Sequence, residues 1–101
     1  MSRGAGPIAR RGELPAGSQP YRTIGPFNPA TLPHGLRAEH SLMAGVWAKL
    51  KVFEGSLHFV WDGPEGGIEH LVAPAELVIP PGAVHHVEES GPFRVTIAFH
   101  R

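Results

Sequence analysis

Seven histidines stand in this chain of 101 residues, and there is no cysteine. Imidazole titrates near neutrality and is the commonest protein ligand for metal ions, so the histidines are the first place to look for chemistry. Thiolate metal sites, cysteine nucleophiles and disulfides are excluded by composition, a pattern compatible with a reducing cytoplasm. The most informative stretch is Ile79-Pro80-Pro81-Gly82-Ala83-Val84-His85, a proline-glycine turn that delivers a histidine into the segment after it. A rigid turn just before a ligand limits where its ring can point, and a metal site needs that preorganisation. In an extended segment His85 shares a face with Val87, and His86 shares the other with Glu88. Val87 reads as core, so His85 is expected to point inward and His86 outward. An inward imidazole on a strand is either a satisfied core group or a ligand. His40, in Leu36-Arg37-Ala38-Glu39-His40, precedes the most strand-like stretch and is the natural partner of His85. The two are distant in sequence, and only the fold can bring them together. His34, His58, His70 and His100 read as loop-borne or outward-facing.

The elements that must position these residues are strands. In Gly45–Gly55, Val46, Ala48, Leu50 and Val52 alternate with Trp47, Lys49, Lys51 and Phe53, a period of two that predicts one buried face. Glu54-Gly55 reads as a tight hairpin turn, with Leu57, Phe59 and Trp61 inward on the returning strand. Shorter strands are expected at Ile68–Val72, Glu76–Ile79 and Val84–Glu88. Ser90-Gly91-Pro92 reads as a further turn before Phe93–Phe99, where Phe93, Val95, Ile97 and Phe99 share a face. Tyr21–Pro29 reads as an edge segment, because Pro26 and Pro29 cannot donate to a central ladder. Residues 1–20, rich in Gly, Pro, Ser and Arg, read as a disordered or loosely draped arm. No segment shows a helical stripe. Short strands punctuated by turns predict an all-β sandwich or barrel over residues 21–101, in a single domain.

Three stretches of this pattern resemble the small cupin-like domain of the tellurite-resistance (TehB/YeaR-type) proteins. They are LRAEHSLMAGVWAKLKVFEGSLHF, LVIPPGAVHHVE and the closing FRVTIAFHR, with FNPATLPHGL leading in. The turn Pro80-x-Gly82-x-x-His85 is similar to the second metal-binding motif of the cupin superfamily. The resemblance implies a compact double-stranded β-barrel, or jelly roll, whose metal ligands fall on His40, His85 and Glu88. It also implies a divalent ion, with zinc, iron, nickel or manganese as the candidates. The chain departs from the full cupin pattern in two places. His40 is followed by Ser41-Leu42, so the second histidine of the first motif is missing, and the position of its glutamate falls on Ala48. The ligand set is therefore reduced.

Charge and hydropathy narrow the function classes. Nine basic residues balance nine acidic ones, so the basic field of a nucleic-acid binder is absent. No apolar run approaches the roughly 20 residues of a membrane span, and the start lacks the apolar centre of a secretory signal. A soluble, cytoplasmic protein with neither nucleic-acid nor membrane partner is expected. Phosphate loops, nucleophile elbows and HExxH helices are not found. Three readings remain. One is metal-dependent chemistry on a small molecule, and a second is a non-catalytic sensor of a small molecule or oxyanion in a stress response. The third is a structural β-barrel without metal that serves dimerisation. A homodimer is expected in each case, because a small sheet has edges to protect.

Overall fold

A computed structural model describes residues 13–64 and 66–101. Its elements are five strands: β1 (Pro20–Phe27), β2 (Trp47–Trp61), β3 (Ile68–Val72), β4 (Ala75–Ile79) and β5 (His85–His100). A single 3-10 turn, His34–Leu36, lies between β1 and β2. Among the described residues there is no α-helix, and no helix is long and apolar enough to cross a membrane. Most of the N-terminal arm expected over residues 1–20 lies outside the described residues. Where the described chain takes over, Gln19 and Arg101 exchange two main-chain hydrogen bonds of 3.1 and 3.2 Å, and Pro20 opens β1.

Every ladder is antiparallel, and the sheet runs β1-β5-β2-β3, with β4 also pairing β2. β1 is an edge strand as its prolines require, and it pairs only β5. β3 and β4 lie end to end along one side of β2. β4 pairs Ala48–Val52 and β3 pairs Ser56–Val60. These ladders leave the sheet open, so they make an all-β single domain but not the closed barrel that was expected.

The two turns expected at Glu54-Gly55 and Ser90-Gly91-Pro92 are not turns. β2 and β5 run straight through them and pair with each other along nearly their whole length. The ladder between them shifts register at Val52/Glu54 and again at Gly55/Leu57, and these irregularities bend both strands where they pass each other. Gly55 sits at this crossing with φ +71°, and a Cβ on it would lie 1.8 Å from the Pro92 carbonyl oxygen. The glycine marks a close approach of two backbones, a signal that on paper looks like a turn.

The bend also explains the core. Before it the buried residues of β2 are Ala48, Leu50 and Val52; after it they are Leu57, Phe59 and Trp61. The inward face thus changes from even to odd numbers, and both halves feed one apolar cluster with Leu77, Ile79, Val87, Phe93, Val95 and Ile97. At about 25 cal/mol per Å² of apolar surface buried, each of these larger side chains contributes about 1.5–3 kcal/mol. The faces expected for β2 and for Phe93–Ile97 are those found.

Candidate functional site

His85 is the first residue of β5, and the Pro80–Gly82 turn aims it into the core, where it is 2% exposed. Its ring stacks on Phe59 at a centroid distance of 4.9 Å and stands edge-on to Trp61 at 6.2 Å. Its Nδ1 is 2.7 Å from the carbonyl oxygen of Ala83. A carbonyl only accepts, so Nδ1 carries the proton and donates, and Nε2 keeps its lone pair. Burial is the main cause that lowers the His85 pKa to about 4, offset in part by the Ala83 hydrogen bond. The ring is therefore neutral at physiological pH, the state in which imidazole binds metals.

His40 is brought to it by the backbone. The two residues exchange main-chain hydrogen bonds, His40 N–H to His85 O at 3.0 Å and the reverse at 2.9 Å, as an isolated antiparallel bridge. Gly82 N–H donates to Leu42 O at 3.0 Å and extends the contact by a further bond. The bridge sets the two side chains next to each other, with ring centroids 4.3 Å apart at an interplanar angle of 64°. The half-buried His40 repeats the tautomer of its partner: Nδ1 donates to Ala38 O at 2.9 Å, which leaves the lone pair on Nε2. In both cases a main-chain carbonyl two residues back fixes the ring, the outer-shell arrangement of ligating histidines.

The pair lines a cavity of about 30 Å³, room for one or two water-sized groups. The remaining walls are apolar, Leu42, Leu50, Phe59, Ile79, Val87 and Ile97 among them. The spacing can be tested against a metal. Two imidazoles on one ion, with bonds of about 2.0–2.1 Å and angles of about 90–110°, hold their centroids about 4.5–5 Å apart. The observed 4.3 Å is close to that range. The donor set is a fit for a divalent ion only if solvent or a small molecule completes it. Among the described residues no three His, Asp or Glu side chains are grouped to hold a metal.

Glu88, expected with His40 and His85, stands on the opposite side of the sheet. Pairing is regular from Trp61↔His85 to Leu57↔Glu89, with no bulge to turn Glu88 inward. It is exposed and engages His86 instead. His86 Nδ1 lies 2.6 Å from Asp62 and its Nε2 lies 2.7 Å from Glu88. Carboxylates only accept, so both nitrogens donate and the ring is an imidazolium; the Asp62 bond, then the Glu88 bond, raise its pKa. His34 is exposed on the 3-10 turn and His58 faces outward as expected; His70, expected at the end of a short strand beside a loop, is exposed in the middle of β3. His100, also expected outward and solvated, is buried with Nδ1 lacking a hydrogen-bond partner. Burial and the nearby Lys49 lower its pKa. Its place against Trp47 and Pro20, on strands either side of β5, closes it off, and no local pattern announces that.

The TehB-like domain pattern matches residues 22–97, and the chain belongs to the TehB-like family. No match was found among curated proteins. Among solved structures, TehB from Haemophilus influenzae superposes with a TM-score of 0.75 at 23% identity. That match covers 82% of this chain and 31% of the other, so this chain spans less than a third of that protein's length. A protein from E. coli strain K12 gives a TM-score of 0.78 at 20% identity, covering 88% of this chain and 95% of its own. HppE in its Fe(II) form gives 0.54 at 20% identity, covering 62% and 34%. At these identities the likenesses establish a shared fold.

Proposed function

We propose that this TehB-like domain is a small metal-binding module of the cupin type, in which His40 and His85 hold a divalent ion through Nε2. Solvent or a small oxyanion completes the site. One observation carries the reading: two distant histidines share an apolar cavity, each with Nδ1 tied to a main-chain carbonyl. The depressed pKa of His85 supports it, as does the likeness in fold to HppE, a protein known with Fe(II). The cupin-type architecture belongs to the same proposal. Its support is the bend at which β2 and β5 both turn while keeping one common core.

When bound, the ion supplies Lewis acidity and open positions for a ligand oxygen. The chain's own contribution is to orient two neutral imidazoles and to surround them with the apolar side chains of Leu42, Ile79, Val87 and Ile97. Among the described residues no carboxylate or hydroxyl lines the cavity, so the pocket offers no further proton-transfer group. Binding or sensing of a small ligand is therefore favoured over catalysis, and membership of the TehB-like family is what suggests an oxyanion met in a stress response.

Metal content measured after dialysis tests this. Wild-type protein is expected to retain up to one equivalent, and His40→Ala and His85→Ala are each expected to lose it while keeping their β-sheet circular dichroism. Full occupancy in both variants overturns the assignment. The count of only two protein donors favours a second reading, a structural module in which the rings merely pack. Wild-type protein that retains no metal would support it.

A further inference from the structure

The face of the sheet turned away from the cavity carries a second histidine pair that the site above does not use. His58 on β2 lies directly opposite His70 on β3, and on its other side directly opposite Glu88 on β5. Residues paired in this way across antiparallel strands project from the same face with Cβ atoms about 4.5–5.5 Å apart. His70, His58 and Glu88 thus form a row across three neighbouring strands. The two rings stand edge to face, with centroids 4.7 Å apart at 71°. That separation falls within the range of about 4.5–5 Å derived above for two imidazoles on one ion.

The surroundings differ from those of the inner pair in two ways. His70 and Glu88 are exposed and His58 is half-buried, so an ion reaches the row from bulk water without passing a gate. A carboxylate also stands in the row, where the inner cavity has none. Glu88 engages His86 through Oε2, and Asp62 holds the far side of that same imidazolium, so Asp62 keeps His86 partnered when Glu88 turns toward His58. Among the described residues no three such donors are grouped around one point, so Glu88 has to turn away from His86 before it joins the two imidazoles.

We propose that the outer face carries a second cation site, in which His58 and His70 chelate an imidazole-seeking divalent ion such as Zn²⁺ or Cu²⁺ and Glu88 supplies the carboxylate. The β2–β3 ladder sets the two histidines directly opposite each other before the ion arrives, which favours chelation over two independent single-histidine contacts. An ion bound there ties β3 to β2 and raises the stability of the folded state through linkage.

Zn²⁺ titration calorimetry on the full chain, with thermal unfolding as a second readout, tests the site separately from the inner one. Three proteins suffice: wild type, His58→Ala/His70→Ala, and His40→Ala/His85→Ala. The substitutions at 58 and 70 lie on the outer face and leave the core intact, so that variant reports even if the inner double variant fails to fold. The expected result is that His58→Ala/His70→Ala binds one equivalent fewer than wild type and loses part of the Zn²⁺-dependent rise in unfolding temperature. The single change His70→Ala is expected to weaken this event at least about tenfold, and Glu88→Gln by a smaller factor. Unchanged stoichiometry and unchanged thermal shift in His58→Ala/His70→Ala overturn the proposal, and leave the 4.7 Å contact as ordinary ring packing. If wild type binds one equivalent that vanishes in this variant, the outer site stands and the inner one fails.

Discussion

His85 and His86 are adjacent yet titrate in opposite directions, because a strand sends neighbours to opposite faces. The folded His85 stays neutral down to about pH 4, whereas the unfolded ring takes its proton near 6.5. Between those values the unfolded state holds more protons, so acidification favours unfolding. The contribution is fully present above pH 6.5 and falls away toward pH 4, on the order of 3 kcal/mol in all. His100, with its pKa also lowered, acts with the same sign. His86 acts oppositely: its pKa is raised, so its contribution is complete below about pH 6.5 and is lost as pH rises through the raised value. Urea unfolding followed from pH 7.5 to 4.5 is expected to show a falling midpoint, with a shallower slope in His85→Gln. An unchanged slope would mean that the ring is not shielded as described. Asp62→Asn is expected to remove most of the His86 effect, seen as a lower imidazole pKa in NMR titration.

At the scale of elements, the crossing of β2 and β5 is the feature most exposed to change. Gly55→Ala places a methyl group on the Pro92 carbonyl at a positive φ, and a loss of at least about 3 kcal/mol is expected by chemical denaturation. Gly35→Ala, where an added Cβ meets nothing, is the matched control and is expected to be near neutral. This crossing also shows what could be read before the fold was known. Strict alternation revealed which side chains of β2 and β5 face inward, and Val87 was enough to orient His85. A glycine after an acidic residue has two physical meanings, a reversal of the chain or room for another backbone, and only the partner strand tells them apart. The meeting of His40 with His85 was likewise beyond any local pattern, since it depends on main-chain bonds across the loop that precedes β2. The place of His40 before the most strand-like stretch nominates it as the partner of His85, and the family resemblance strengthens that pairing. Alternation puts Glu88 on the outward face with His86, where it is found; the resemblance alone sets it among the ligands, because it carries residue order but not the face onto which an unbulged strand turns a side chain.

For the molecule as a whole, the unpaired side of β3 invites association. Ile68 and Val72 on this short edge strand are 63% and 57% exposed, and they flank His70 on the outer face. Edge strands with apolar side chains recruit partners unless charge blocks them. A homodimer through this region is expected in sedimentation velocity, with Ile68→Lys shifting the population toward monomer by several-fold. A concentration-independent monomer in the wild type would refute it. The short bridge between His40 and His85 has a further consequence, kinetic in kind. One wall of the cavity is a loop fastened to the turn before β5 and its first residue by three main-chain hydrogen bonds, while the opposite wall is woven sheet. Such a loop detaches in small local openings that cost far less than global unfolding. Exchange of the His40 and Gly82 amides with deuterium would then clock the doorway itself, and an occupant gripped by both rings would slow that clock while leaving the central strands ticking as before.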